Sequence, residues 1–123
     1  MSAPSKQALH GRRVLLVEDE FLVGAMLVDV LEDAGAVVLG PATSIDEGLR
    51  MVADDEFDIA VLDWNLSGHR SEPIARALLA REVPFLISTG YGAISDEFAH
   101  IPLLNKPYDP DGIVDSLRML LLP

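Results

Sequence analysis

Unbroken apolar runs alternate along this chain with segments in which apolar residues recur every three or four positions. The runs are short and are followed by polar residues, which is typical of strands covered on both faces of a parallel sheet. They predict five strands, with the sequences VLLV at 14–17, AVVLG at 36–40, DIAVLD at 58–63, PFLIST at 84–89 and IPLLN at 101–105.

The segments between these runs predict helices. Residues 21–35 carry apolar side chains on one face, and Gly35 provides a helix stop. That face holds Val23, Met26, Leu27, Val30 and Ala34. Further helices are predicted at 45–53 with Ser44 as cap, at 71–81 with Ile74, Ala77 and Leu78 facing inward, in a shortened form within 91–99, and from Asp109 onward.

Strand and helix therefore alternate five times without an internal linker. This order predicts an α/β fold with a doubly wound parallel sheet, because right-handed crossovers place helices on both faces. We expect the flavodoxin-like (βα)5 strand order 2-1-3-4-5, with a shortened helix 4. The domain is predicted to span 13–123, and the polar residues 1–12 are expected to form a flexible N-terminal tail.

Composition narrows the classes of function. The 123 residues and 13.3 kDa are the size of one domain, and the absence of cysteine excludes disulfides and thiolate metal sites. The net charge of −11 disfavours binding to nucleic acid or to anionic membranes. The sequence lacks an 18-residue apolar run and a secretory signal at its start, so we expect a cytoplasmic protein.

Side chains that could bind a metal ion or react with a phosphoryl group lie at the ends of the predicted strands. Glu18 and Asp19 follow the first, Asp63 ends the third, and Thr89 and Lys106 belong to the fourth and fifth. Carboxylates gathered at one sheet edge suit Mg²⁺, and a carboxylate beside Mg²⁺ and a lysine can attack a phosphoryl group. Each residue alone also fits an ordinary helix cap, turn or surface charge, so their conjunction carries the hypothesis.

Four motifs strengthen this interpretation. They are VLLVEDE at 14–20, VLDWNLSG at 61–68, STG at 88–90 and NKP at 105–107, in register with the predicted strands. From residue 13 to its C-terminus the chain resembles a response-regulator receiver domain of bacterial two-component signalling. The resemblance implies that Asp63 is the phosphoacceptor and that Mg²⁺, with Mn²⁺ as a substitute, is the cofactor.

The same resemblance assigns roles to the neighbouring residues. Glu18, Asp19 and Asp63 would hold the metal together with the backbone carbonyl of Asn65. Thr89, Gly90 and Lys106 would contact the phosphoryl group. The side chains of Asn65 and Tyr91 would tune hydrolysis of the acyl phosphate, and the bond between Lys106 and Pro107 would be cis.

One departure from the family pattern concerns the residue expected to change conformation on phosphorylation. Most receivers carry an aromatic residue three positions before the lysine, where this chain has Leu103. The segment FLISTGY at 85–91 resembles a subclass with a Phe-x-x-Thr-Gly-Tyr-like motif, common in alphaproteobacteria and often paired with HWE-type histidine kinases. Tyr91 either replaces the missing ring as the moving part or is a half-buried loop residue.

A second apolar stripe on the first helix suggests a docking surface. Leu22, Ala25 and Val28 lie off the predicted core face and are expected to contact a histidine kinase or a phosphotransfer protein. The alternative is that they widen the buried face of the helix.

The leading functional hypothesis is a single-domain response regulator, monomeric or weakly dimeric. It would signal to a downstream protein by contact or act as a phosphate shuttle or sink, and would not be an enzyme beyond its intrinsic autophosphorylation and autodephosphorylation. One alternative is a pseudo-receiver that only binds. The other is a haloacid-dehalogenase-type phosphohydrolase, which needs a second aspartate where this chain has Asn65.

Overall fold

A central parallel sheet organises the computed structural model, which describes residues 7–90, 94–106 and 109–122. Its strands are β1 (Arg13–Val17), β2 (Val37–Ala42), β3 (Ile59–Asp63), β6 (Phe85–Thr89) and β7 (Leu103–Asn105). A separate antiparallel hairpin contains β4 (Asn65–Leu66) and β5 (His69–Arg70). The helices are α1 (Phe21–Asp33), α2 (Ile45–Asp54), α3 (Glu72–Ala80) and α4 (Pro110–Leu120).

The strands of the main sheet are arranged in the order β2-β1-β3-β6-β7, and every neighbouring pair is parallel. With the hairpin strands left out of the count, this is the predicted order 2-1-3-4-5, and the fold prediction is confirmed. Because all these strands run the same way, their carboxyl ends lie along one edge of the sheet.

Apolar side chains cover both faces of the sheet. In β1, Leu15 and Val17 belong to one core cluster, and Val14 and Leu16 belong to the other. The first cluster is completed mainly by α2 and α3, and the second by α1 and α4. Burial on both faces explains why the strands are uninterrupted apolar runs and do not alternate with polar residues.

The buried face of α1 agrees with the predicted one except at Gly24, Met26 and Leu31. Its fully buried residues are Gly24, Leu27 and Leu31, whereas Met26 is exposed. A Cβ atom at Gly24 would lie 3.3 Å from Cγ of Pro41, so the helix backbone approaches Pro41 closely at a position without a side chain. The pattern of apolar residues cannot register such a position, so Gly24 was missed. Leu27 and Ala34 are buried as predicted, and Val23 and Val30 pack against the core.

The predicted N-terminal tail, residues 1–12, is too long. Leu9 is completely buried in the cluster under α1 and α4, and its N–H donates to the carbonyl of Ala34 at 2.8 Å. The N–H of Gly11 donates to the carbonyl of Gly35 at 3.0 Å. Residues 7–12 thus belong to the folded domain, while residues 1–6 lie outside the described residues.

Among the described residues of the segment 91–99, where a shortened helix 4 was predicted, Asp96–Phe98 form a 3-10 turn. Phe98 is buried there, and its ring meets that of Trp64 edge to face, with centroids 5.5 Å apart. Arg76 of α3 places its guanidinium 5.9 Å from the Phe98 ring and bonds both carboxylate oxygens of Glu97 at 2.9 Å. These contacts anchor the turn to α3 and to the residue after Asp63.

Two further predictions concern backbone features. The peptide bond between Lys106 and Pro107 lies outside the described residues, and so does the position of Tyr91. Among the described bonds, the one between Gly40 and Pro41 is cis. Within the described ranges, no helix combines the length and the apolar character needed to cross a membrane.

Candidate phosphoryl-acceptor and metal site

Three carboxylates converge where β1 and β3 end. Glu18 and Asp19 follow β1, and Asp63 is the last residue of β3, the strand paired with β1. One oxygen from each carboxylate lies within 4.8 Å of the others. Glu18 and Asp63 are buried, with 2% and 3% of their surface exposed, whereas Asp19 is half-buried. Strand pairing thus brings Glu18 and Asp63 together, although they are 45 positions apart in sequence.

Lys106 provides the positive charge opposite this cluster. Its Nζ lies 3.3 Å from Oδ2 of Asp63 and 3.5 Å from Oε1 of Glu18. Its backbone N–H donates to the carbonyl of Thr89 at 2.8 Å, which fixes the residue at the end of β7. Burial lowers the pKa of Lys106, but the charges of Asp63 and Glu18 outweigh it, and the net shift is upward. The ammonium group therefore stays charged.

The ionised form of Glu18 is disfavoured in this site. The pKa of Glu18 is raised from 4.5 to about 7, mainly by burial and in part by the charge of Asp63. The backbone N–H of Glu20, which donates to Oε2 of Glu18 at 3.0 Å, and the charge of Lys106 act in the opposite direction. The cluster therefore carries more negative charge than its protein surroundings stabilise.

The donor set fits a divalent cation. Oε1 of Glu18 is buried and accepts no hydrogen bond from any described residue, and Nζ of Lys106 lies 3.5 Å from it. Hard carboxylate oxygens at one partly open edge are the ligands that Mg²⁺ prefers, and Mg²⁺ commonly retains several waters in such sites. A cation here would offset the repulsion that raises the pKa of Glu18.

Backbone and hydroxyl groups orient Asp63. Its Oδ1 accepts a hydrogen bond from the N–H of Asn65 at 3.3 Å, and its carbonyl accepts one from the hydroxyl of buried Ser71. The N–H of Trp64 donates to the carbonyl of Ser88 at 2.9 Å, and the carbonyl of Trp64 accepts from the N–H of Ser71. These bonds leave Oδ2 of Asp63 facing Lys106.

The β4–β5 hairpin closes one side of the site, which the sequence did not indicate. Oδ2 of Asp19 accepts hydrogen bonds from the backbone N–H and the hydroxyl of Ser67, at 2.8 and 2.9 Å. The side chain of Asn65, predicted to tune hydrolysis, accepts from the N–H of Gly68 at 3.1 Å. A two-residue Ser-Gly turn between short strands was the available signal for this hairpin.

The remaining predicted residues lie around this centre. Thr89 is buried at the end of β6, and exposed Gly90 follows it. Leu103 of β7 is exposed, which leaves the switch position without a buried ring. On α1, Phe21 and Leu22 are 84% and 79% exposed.

Two members of the predicted docking stripe differ in exposure. Ala25 is exposed beside Leu22, whereas Val28 is half-buried and packs against the core cluster. The apolar patch on α1 therefore centres on the first turns of the helix, with Val28 at its margin.

No family model matches the chain. Solved structures do resemble it. SdrG from Sphingomonas melonis Fr1 is 38% identical, with a TM-score of 0.79 over 94% of this chain and 98% of that one. The BeF3-activated conformation of SdrG from Pseudomonas melonis Fr1 is 36% identical, with a TM-score of 0.75 over 99% and 100% of the two chains. The signal receiver domain of a modulated diguanylate cyclase from Desulfovibrio desulfuricans G20 is 29% identical, with a TM-score of 0.80 over 90% and 94%.

A curated relative points the same way. The phosphate regulon transcriptional regulatory protein PhoB of Pseudomonas aeruginosa is 27% identical over 120 residues, which are 90% of this chain and 52% of PhoB. The chain spans about half the length of the curated relatives it matches. The strand order, the acidic cluster beside a lysine and these similarities agree, and the chain belongs to the family of response-regulator receiver (CheY-like) domains.

Proposed function

We propose that this receiver domain accepts a phosphoryl group on Asp63 from a phosphohistidine of a histidine kinase or phosphotransfer protein, in a reaction that requires Mg²⁺ or Mn²⁺. The observation that carries the proposal is the buried Asp63 carboxylate, whose Oδ2 lies 3.3 Å from Nζ of Lys106 beside two further carboxylates. A relative described in a BeF3-activated conformation supports it. The domain would then signal by contact with a downstream protein or pass the phosphoryl group on.

In the proposed step an Asp63 carboxylate oxygen bonds to phosphorus while the phosphorus–nitrogen bond to the donor histidine breaks, and the imidazole leaves with the electron pair. Lys106 lies close enough to stabilise negative charge on the transferred group. A metal held by Glu18, Asp19, Asp63 and the Asn65 carbonyl would supply Lewis-acid stabilisation of the phosphoryl oxygens. Thr89 and Gly90, at the end of β6, would contact the same group.

The proposal extends to hydrolysis of the acyl phosphate and to the conformational response to phosphorylation. Asn65 would influence access of water to the acyl phosphate, and its side chain is bonded to the hairpin through the N–H of Gly68. Because Leu103 is an exposed aliphatic residue, the conformational response would not use an aromatic ring on β7. Tyr91 is proposed as the moving residue instead, although its position lies outside the described residues.

A direct experiment tests the acceptor. The domain is incubated with acetyl phosphate and Mg²⁺, and intact mass spectrometry measures the fraction that gains one phosphoryl group. We expect a gain in the wild type, none in Asp63→Asn and none in EDTA. Asp115→Asn, a change at an exposed aspartate of α4, is the matched control and should behave like the wild type. An unmodified wild type, or an equal gain in Asp63→Asn, would contradict the proposal and favour a domain that only binds.

The exposed start of α1 is the proposed docking surface for the phosphodonor. Phe21, Leu22 and Ala25 expose apolar area directly after the acidic loop that contains Glu18 and Asp19. We expect Leu22→Glu to slow phosphotransfer from a histidine kinase that phosphorylates the wild type, while leaving the reaction with acetyl phosphate unchanged. Leu122→Glu, at an exposed leucine after α4, is the control. Equal rates of phosphotransfer from the kinase to Leu22→Glu and to Leu122→Glu would show that the kinase does not bind at this patch.

A further inference from the structure

The turn of the β4–β5 hairpin has an unusual backbone for its sequence. Ser67 and Gly68 form a two-residue connection, and their φ angles are +52° and +86°. Turns with positive φ at both positions suit β-hairpins, since their twist matches that of the strands. Glycine adopts this region readily, but serine does so at a cost. Something in the fold must therefore compensate for the conformation of Ser67.

Asp19 provides that compensation. Both hydrogen-bond donors of Ser67, its backbone N–H and its hydroxyl, reach the same oxygen of Asp19, at 2.8 and 2.9 Å. The two residues are 48 positions apart, and among the described residues these two bonds are what holds Asp19 to the hairpin. Hydrogen bonds to an ionised carboxylate are the stronger kind. The interaction also works in reverse, because it restricts the orientations of the Asp19 carboxylate.

The restriction matters because of where Asp19 lies. One of its oxygens is within 4.8 Å of oxygens from Glu18 and Asp63, and Oε1 of Glu18 accepts no hydrogen bond from a described residue. Carboxylate ligands of a metal are commonly oriented by hydrogen bonds from groups that do not touch the ion. Asp19 is half-buried, and without such bonds its side chain could turn towards solvent.

We propose that Ser67 is a positioning residue, which holds Asp19 in the orientation that binds a divalent cation and thereby sets the affinity of the site for Mg²⁺. The inference rests on the proposed metal-dependent function. It adds a residue outside the ligand set, located on a hairpin turn, whose hydroxyl acts on the ion only through Asp19.

The experiment separates positioning from a merely structural role by measuring two quantities. Isothermal titration with MgCl₂ gives the dissociation constant, and urea unfolding in EDTA gives the stability of the metal-free domain. Ser67→Gly removes the hydroxyl and replaces serine by a residue that adopts a positive φ readily. Ser67→Ala also removes the hydroxyl, but alanine still pays the conformational cost of a positive φ. Ser95→Ala is the matched control, because the Ser95 hydroxyl donates to a carboxylate oxygen of Glu72 at 3.3 Å, on α3.

We expect both Ser67 variants to weaken Mg²⁺ binding by roughly 3- to 10-fold, the effect of one lost hydrogen bond to an orienting partner. In EDTA, Ser67→Gly should be as stable as the wild type or more so, and Ser67→Ala less stable. In an Asp19→Asn background, Ser67→Gly should change Mg²⁺ affinity no further. Ser95→Ala should bind like the wild type.

Three results would overturn the inference, and they are distinguishable. If the wild type binds Mg²⁺ and both Ser67 variants bind it equally well, Ser67 does not position Asp19, and the proposed function stands. If the wild type binds no Mg²⁺, the positioning role and the metal-dependent function fail together. A loss of affinity in Ser67→Ala alone would assign Ser67 a structural role only, and would also overturn the proposal.

Discussion

Replacing Glu18 by glutamine should stabilise the metal-free domain, although it removes a residue of the site. The folded state raises the pKa of Glu18 to about 7, mainly because the carboxylate is buried and secondarily because Asp63 lies beside it. Between pH 4.5 and 7 the folded chain therefore holds a proton that the unfolded chain has released. The free energy of unfolding consequently falls as pH rises through this window, and the loss is complete above pH 7.

The size of the effect follows from the two pKa values. One pKa unit corresponds to about 1.4 kcal/mol, so a rise from 4.5 to about 7 gives a ceiling of about 3 kcal/mol. Local relaxation reduces the effect, and we expect about 1–3 kcal/mol. Glutamine preserves the shape and accepts the hydrogen bond from the Glu20 N–H, but it carries no charge. At pH 8 in EDTA, Glu18→Gln should be more stable than the wild type by this amount, and at pH 4.5 nearly equal to it.

Urea denaturation followed by circular dichroism, at several pH values from 4.5 to 8, measures the difference. All other titrating groups are shared, so the difference between the two curves isolates Glu18. Glu32→Gln, at an exposed position on α1, is the control and should follow the wild-type curve. If Glu18→Gln were no more stable than the wild type at pH 8, burial and repulsion at this carboxylate would not cost what the structure indicates. Saturating Mg²⁺ should reduce or reverse the difference in free energy of unfolding between Glu18→Gln and the wild type, since a cation would offset the same repulsion.

Three further outcomes are expected. Phe98→Ala should lower the free energy of unfolding by about 3 kcal/mol in urea titrations, because a buried ring that contacts Trp64 is removed; a loss below about 1 kcal/mol would show that the 3-10 turn is not anchored by this ring. Gly48→Ala should be destabilising by about 1 kcal/mol, because the new Cβ would lie 2.5 Å from Cδ1 of Ile74, and Ile74→Val should recover most of that loss in a double-mutant cycle. Independent effects of the two changes would contradict this contact. Trp64, directly after Asp63, should change its fluorescence emission when MgCl₂ is titrated, and an unchanged spectrum at saturation would argue against an ion at this edge.

The fold was predictable because its signals are local and repeated. Each strand is covered on both faces, so its sequence is a continuous apolar run, and alternation with helices leaves few topologies. The residues of the site followed from the fold, since parallel strands bring their carboxyl ends to one edge. Glu18, Asp19, Asp63 and Lys106 could therefore be placed together before any distance was known.

The features that escaped prediction leave no periodic signal. Gly24 contributes to packing by having no side chain, so a pattern of apolar side chains cannot identify it. Ser67 acts through a positive φ and a partner 48 residues away, and neither is visible in a short window. Leu9 is a single apolar residue in a polar stretch, and only the structure shows the pocket that it fills.

The buried Leu9 has a mechanical consequence for the way the chain begins. The backbone bonds from Leu9 to Ala34 and from Gly11 to Gly35 clamp the leading segment to the C-terminal end of α1. A force that reaches Gln7 along the chain is therefore transmitted to α1, the helix whose opposite end exposes Phe21 and Leu22.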